Sequence, residues 1–95
     1  MIQEKCFSIS GRVQGVGFRY WTVKTAQKIG NLSGYVMNAD NGDVLVFVSG
    51  EDDAINKLQR ALYQGPLFSR VDNIREAPEL ISFFPAITNN VFKRL

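Results

Sequence analysis

A glycine-rich segment ahead of a predicted helix carries the residues best suited to bind an anion. Residues 11–19 have the sequence GRVQGVGFR, with three glycines and two arginines. Glycine adopts backbone angles closed to other residues, and the unpaired N–H groups at a helix N-terminus attract anions. The planar guanidinium of Arg19 can donate two parallel hydrogen bonds to a phosphate. On these grounds a phosphate-binding loop and a tight turn with a solvated arginine are equally good interpretations.

Two nucleotide-binding motifs are excluded by the same segment. A dinucleotide fingerprint needs a third glycine at position 20, where the sequence has Tyr20. A Walker-type loop needs Gly-Lys-Ser/Thr, which the sequence lacks. A basic residue at a helix start opposes the helix dipole, so the position of Arg19 favours a functional role.

A second polar residue, Asn38, follows a β-rich run and precedes a predicted turn. Asparagine is common near turns, and taken alone Asn38 is a hairpin residue. The acidic run 51–53 is better explained as the start of a helix than as a metal site, with Ser49 and Asp52 forming a capping box. The helix that follows has an apolar stripe containing Ile55 and Leu58.

Strand and helix patterns around these residues predict one α+β domain over residues 1–95. Alternation predicts a strand over 6–13, helix formers predict a helix over about 19–29, and Asp40-Asn41-Gly42 predicts a hairpin. The other predicted elements are strands over 32–38, 43–48 and 70–76, the helix after Ser49, and a last strand over 90–95 that follows a connection over 77–89. This order is typical of a ferredoxin-like split βαβ domain, βαββαβ, with an antiparallel sheet and two helices on one face.

Composition narrows the chemistry and the partners. The chain has no histidine and one cysteine, Cys6, which we interpret as a small buried side chain and not a nucleophile. A net charge of +2 without a basic stripe argues against a nucleic-acid partner. Glu4 and Lys5 stand where a signal peptide would be apolar, and no long apolar run occurs. We therefore expect a cytoplasmic monomer with no membrane, metal or cofactor requirement.

Several segments together resemble the acylphosphatases, small ferredoxin-like enzymes that hydrolyse carboxyl-phosphate anhydrides. They are GRVQGVGFRYW from residue 11, GYVMN from residue 34, NGDV from residue 41 and the pair Gly65-Pro66. The resemblance implies that Gln14, Gly15, Val16, Gly17 and Phe18 form the phosphate-binding loop. It also implies that Arg19 binds the phosphoryl group and that Asn38 orients the attacking water. Residues 77–95 follow the family poorly.

The missing histidines agree with this chemistry. The leaving carboxylate has a conjugate acid with a pKa of about 4 and departs without a proton donor. The attacking water then needs positioning more than deprotonation. The sequence near the loop has no carboxylate cluster suited to magnesium, so we expect metal-independent hydrolysis. Two alternatives to an acylphosphatase remain. One is an RNA-recognition module of the same topology, but the strand over 44–48 lacks the aromatic and basic pattern of such modules. The other is a non-catalytic anion-binding or carbamoyl-phosphate-handling domain.

Overall fold

Five strands and two α-helices make up the fold in the computed structural model, which describes residues 1–87 and 89–95. The strands are β1 (Ile2–Arg12), β2 (Ser33–Asn38), β3 (Val44–Glu51), β4 (Arg70–Glu76) and β5 (Phe92–Arg94). The helices are α1 (Phe18–Ile29) and α2 (Asp52–Gln64), and a short 3₁₀ helix spans Pro78–Phe83. Position 88, in the predicted connection, lies outside the described residues. The predicted order of elements is confirmed.

The sheet has the strand order β4-β1-β3-β2-β5. The first four strands pair antiparallel, while β5 pairs parallel to β2, with Phe92 beside Gly34. The ferredoxin-like fold is therefore confirmed, and the short fifth strand makes the sheet mixed. Because β2 and β5 run in the same direction, their C-terminal ends lie at the same edge of the sheet. The loop after β1 and the turn after β2 lie at that edge as well.

Both α-helices pack on one face of the sheet, and their apolar sides form the main core with it. In α2 the buried residues are Ile55, Leu58 and Leu62, as the apolar stripe predicts. From α1 the buried side chains are Phe18, Thr22 and Ala26. Strand alternation places Val36 of β2 in this core.

A second, smaller core lies on the opposite face of the sheet. Cys6 and Phe47 from the sheet are covered there by Phe84, which follows the 3₁₀ helix. Tyr35 stacks on the Phe84 ring with 6.4 Å between centroids. Leu80, Ile81 and Ile87 of the C-terminal segment also pack against this second core and help to cover that face of the sheet.

The predicted start of the second helix is wrong. Ser49 is not a helix cap, since it lies in β3 and pairs with Glu4 on one side and Ser33 on the other. The N-cap is Glu51, which makes no side-chain capping bond, and Asp52 and Asp53 occupy the first turn. Pairing on both sides extends β3 beyond its predicted end, so the helix begins two residues later than the capping-box pattern suggests.

Other boundaries differ by a few residues. β1 begins at Ile2 and not near Cys6, because its N-terminal half pairs with β3 as far as Glu51. β5 spans three residues and is shorter than predicted. No described helix is long and apolar enough to cross a membrane.

Candidate active site

The segment joining β1 to α1, residues 13–17, makes a sharp turn with two glycines in the left-handed region. Gly15 has φ 75° and Gly17 has φ 79°. An added Cβ at either position would meet no atom within 4 Å, so it is the backbone conformation and not lack of space that favours glycine here. We call residues 13–17 the glycine loop. Gly11, the first glycine of the motif, lies instead within β1, where a Cβ would be 2.1 Å from the carbonyl oxygen of Arg70.

No side-chain cap or acidic residue of the first turn offsets the partial positive charge at the N-terminus of α1. Its N-cap is Gly17, which supplies no side-chain capping bond, and the first turn contains no acidic residue. The first turn of α2, by contrast, contains Asp52 and Asp53. Because free N–H groups and the helix dipole give a helix N-terminus partial positive charge, the start of α1 is electrostatically suited to an external anion.

Side chains in and just after the glycine loop pack into the protein. Phe18, the first residue of α1, is buried and contacts Trp21 edge to face, with ring centroids 5.4 Å apart. Val16 is partly buried and packs against the main core. This packing leaves main-chain N–H groups as the donors that the loop can offer to a ligand. Trp21 also packs against the core.

Arg19 is held from the far end of the chain. Its Nη1 donates to the main-chain oxygen of Leu95 at 2.9 Å. The N–H of Leu95 donates to the carbonyl oxygen of Val36 at 2.8 Å, which fixes Leu95 beside β2. The contact uses one of the five N–H donors of the guanidinium. The other four are the donors with which Arg19 can bind an anion.

Asn38 is the last residue of β2 and pairs with Val44 of β3. Its side chain lies on the same sheet face as that of Val36, two residues earlier, and hence on the face that α1 covers. The side-chain oxygen Oδ1 is buried and has no hydrogen-bond partner among the described residues. A buried acceptor left unpaired costs about 1–3 kcal/mol, so this oxygen has a strong preference for an incoming donor.

Gln14 connects the glycine loop to the turn after β2. Its Nε2 donates to the carbonyl oxygens of Ala39 at 2.8 Å and Asp43 at 2.9 Å. The loop that precedes Arg19 and the strand end that carries Asn38 therefore adjoin. The structure brings the predicted site residues to one edge of the sheet, with Gln14 contacting the turn directly and Arg19 reaching β2 through Leu95.

The other candidate side chains have structural roles. Asp43 lies in the turn, just before β3 begins at Val44, and its N–H donates to Asn41 Oδ1 at 3.0 Å. Cys6 is fully buried in the second core, and burial raises the pKa of its thiol to about 11, so it is not a nucleophile. Within residues 1–87 and 89–95 no three Cys, Asp or Glu side chains cluster as metal ligands would.

Sequence reasoning missed the two contacts that hold the site together. Leu95 carries no chemical signal, because its main-chain oxygen makes the contact with Arg19. The family resemblance implies that Gln14 belongs to the phosphate-binding loop, whereas its side-chain amide nitrogen donates to two carbonyls of the turn. For the contact of Gln14 with the turn after β2, the sequence offers one indication, a long amide side chain next to a glycine turn.

The chain is a ferredoxin-like α+β domain, as its strand order and the packing of both helices on one face of the sheet show. Within that class, the acylphosphatase family model matches residues 5–82. The chain belongs to the acylphosphatase family, and it is an enzyme that hydrolyses acyl phosphates.

Individual relatives agree with this assignment. An acylphosphatase from Nitratidesulfovibrio vulgaris is 47% identical over 70 residues, which span 74% of this chain and 69% of the relative. The crystal structure of acylphosphatase from Bacillus subtilis has a TM-score of 0.80 at 32% identity, covering 100% of this chain and 99% of that one. A structure of full-length HypF in a phosphate- and nucleotide-bound form has a TM-score of 0.73 at 30% identity, covering 100% of this chain but 12% of HypF.

Proposed function

We propose that the chain hydrolyses acyl phosphates without a metal ion, with the phosphoryl group bound by residues 14–18 and Arg19 and the attacking water oriented by Asn38. The observation that carries this proposal is the buried Oδ1 of Asn38, which has no hydrogen-bond partner among the described residues and lies at the sheet edge where α1 begins. This acceptor can hold a water, and the start of α1 at the same edge, which has no side-chain cap, can hold an anion.

Binding of the phosphoryl group rests on main-chain and guanidinium donors. The left-handed turns at Gly15 and Gly17 let successive N–H groups of the loop converge on a single anion. Arg19 adds its paired N–H donors and a full positive charge. In a loose transition state the charge spreads over three phosphoryl oxygens, so several fixed donors stabilise it better than a single one.

Attack by water needs orientation and little proton transfer. Asn38 Oδ1 accepts a hydrogen bond from the water, which leaves a lone pair of the water oxygen free to attack phosphorus. The bond between phosphorus and the acyl oxygen breaks, and its electron pair departs with the carboxylate. Since that carboxylate is the anion of an acid with a pKa of about 4, a general acid is not needed. The chain, which has no histidine, has the groups that this route requires.

An anion-binding or carbamoyl-phosphate-handling role is the second candidate. The anion-binding role is favoured by the likeness to HypF, whose structure is of a phosphate- and nucleotide-bound form and of which the matching region is a small part. Comparing turnover of carbamoyl phosphate with that of benzoyl phosphate separates the two candidates. Faster hydrolysis of carbamoyl phosphate by at least about tenfold, or binding of either compound without turnover, would favour the second.

The experiment that tests the main proposal is benzoyl phosphate hydrolysis with and without a chelator. We expect chelator-resistant turnover in the unmodified protein and loss of turnover in Arg19→Ala. Lys28→Ala is the matched control, because Lys28 is an exposed basic residue in the last turn of the same helix. Inhibition by the chelator would overturn the metal-independent mechanism, and full activity of Arg19→Ala would overturn the role of Arg19.

A further inference from the structure

The Gln14 side chain has both hydrogens of its amide nitrogen committed to another loop. The acceptors are the carbonyl oxygens of Ala39 and Asp43, at 2.8 Å and 2.9 Å. A primary amide nitrogen has two N–H donors, so this pair of contacts uses both. The nitrogen that would otherwise bind a phosphate oxygen is thereby occupied.

The two acceptors are the carbonyls that close the turn between β2 and β3. The N–H of Ala39 donates to the Asp43 oxygen at 2.8 Å, and the N–H of Gly42 donates to the Ala39 oxygen at 3.2 Å. Each carbonyl therefore accepts one bond from the turn and a second from Gln14. On its other side the turn is fixed to β1, because Ser8 Oγ donates to Asp43 Oδ2 at 3.1 Å.

Asn38 immediately precedes this bonded pair. Its Oδ1 has no hydrogen-bond partner among the described residues, so no hydrogen bond to that oxygen holds the side chain, and strand pairing with Val44 places its backbone. Ala39 is the next residue, and Gln14 holds its carbonyl. Gln14 itself lies in the glycine loop, five residues before Arg19.

We propose that Gln14 is a positioning residue that sets the separation between the phosphate-binding loop and the water-orienting Asn38. This inference rests on the proposed function and assigns to the Gln14 side chain a role without substrate contact. A displacement of about 1 Å between reacting groups can lower a rate about 100-fold, so a single bridge between two loops has a large effect on the chemical step.

Gln14→Met tests the bridge, since methionine has a similar length and no N–H donor. The two carbonyls each keep one hydrogen bond from the turn, so the fold has no acceptor left unpaired by the change. We expect kcat for benzoyl phosphate to fall about 10- to 100-fold. KM and competitive inhibition by inorganic phosphate should stay within about threefold, because the phosphate donors are main-chain groups and Arg19.

The matched control is Asn41→Ala, which removes side-chain contacts inside the same turn without touching the bridge. Asn41 is exposed, and its side-chain hydrogen bonds within the described part of the chain are with Asp43. A bridge role predicts that kcat of Asn41→Ala stays within about threefold of the unmodified value. An equal loss in Asn41→Ala and Gln14→Met would show that turn stability alone matters, and would overturn the proposal.

A double-mutant cycle with Asn38→Ala gives the decisive measurement. If Gln14 acts through Asn38, then Gln14→Met lowers the rate strongly in the unmodified protein and by less than about twofold in Asn38→Ala. Multiplicative losses would overturn the proposal, as would full activity of Asn38→Ala. The side-chain amide signals of Asn38 in a ¹H–¹⁵N spectrum should shift in Gln14→Met and not in Asn41→Ala, and unshifted signals would also count against the bridge.

The same data separate this inference from the proposed function. Absence of benzoyl phosphate turnover in the unmodified, folded protein would overturn the proposed hydrolysis itself. If the unmodified protein turns over benzoyl phosphate but the rate losses of Gln14→Met and Asn38→Ala multiply in the double variant, the proposed hydrolysis stands and the positioning role of Gln14 is overturned.

Discussion

Arg19 Nη1 lies 2.9 Å from the main-chain oxygen of Leu95, and so a residue at the start of α1 is oriented by one that follows β5. Burying or fixing a long side chain costs up to about 2 kcal/mol of conformational entropy. A hydrogen bond already present in the free protein offsets part of that cost before any anion binds. The geometry of this contact depends on the pairing of β5 with β2 and not on the identity of the Leu95 side chain.

Replacement of Arg19 by lysine should be nearly as damaging as replacement by alanine. Lysine keeps the charge but loses the planar fork that can bond two phosphate oxygens and a carbonyl together. We expect kcat/KM for benzoyl phosphate to fall about 10²- to 10³-fold in both variants, with weaker competitive inhibition by inorganic phosphate. Initial rates measure this, and retention of more than about a tenth of the activity in Arg19→Lys would mean that charge alone suffices.

Replacement of Asn38 by leucine should separate activity from stability. The change removes a buried oxygen that no residue of 1–87 or 89–95 hydrogen-bonds, whose desolvation costs about 1–3 kcal/mol, and it keeps a similar side-chain volume. We expect the free energy of unfolding to stay the same or rise, while the rate falls about 100-fold or more. Urea unfolding and benzoyl phosphate kinetics provide the two readings. If the variant unfolds more easily and loses activity only in proportion, Asn38 is a structural residue.

The two glycines that flank α1 provide a pair of substitutions with opposite expected effects. Gly17 has φ 79° and ψ 19°, whereas Gly30 has φ 83° and ψ 157°, and an added Cβ at either meets nothing within 4 Å. Alanine should cost about 1–2 kcal/mol in the left-handed conformation of Gly17 and more at Gly30, whose backbone region is essentially limited to glycine. Gly17→Ala should also lower kcat/KM by at least about tenfold, because the loop amides shift, whereas Gly30→Ala should not. Equal kinetic effects would show that the loop conformation has no special role.

Local patterns were sufficient for most of the fold. β4 spans Arg70–Glu76 as predicted, and α1 ends before Gly30, because alternation and glycine stop signals act within a few residues. The predicted cap at Ser49 failed for a non-local reason, since β3 is extended by pairing with β1 and β2 on its two sides. The parallel pairing of β5 with β2 also joins distant segments, and residue types near 92 do not specify it.

In the candidate site, too, features formed by neighbouring residues could be predicted from the sequence and contacts between distant segments could not. The glycine loop and Arg19 are adjacent in sequence, and their combination of residue types was readable directly. The contacts of Gln14 with the turn after β2 and of Arg19 with Leu95 span 25, 29 and 76 residues of sequence. Such contacts depend on the strand order, which local sequence patterns do not specify. The roles of these side chains in binding and hydrolysis are predictions that the variants described above test.

The C-terminal segment offers another matched pair, in two consecutive phenylalanines. Phe84 is 8% exposed and packs on Phe47 with ring centroids 5.3 Å apart, while Phe83 is 78% exposed. Phe84→Ala should lower the free energy of unfolding by about 3–5 kcal/mol, and Phe83→Ala by less than about 0.5 kcal/mol. Chemical denaturation measures both. Similar values for the two variants would contradict the assignment of Phe84 to a second core.

Stability at high pH should report the burial of Cys6. Burial raises the pKa of this thiol from its ordinary value of 9.0 to about 11. Between these values the unfolded chain releases the thiol proton while the folded protein retains it, so the stability contribution of the thiol is lost as pH rises. The stability advantage of the unmodified protein over Cys6→Ala should therefore shrink by about 2–3 kcal/mol between pH 8 and pH 11. Other titrating groups are common to both proteins and cancel in the difference, which urea unfolding at each pH measures. Parallel stability curves would mean that the folded protein ionises this thiol as readily as the unfolded chain does.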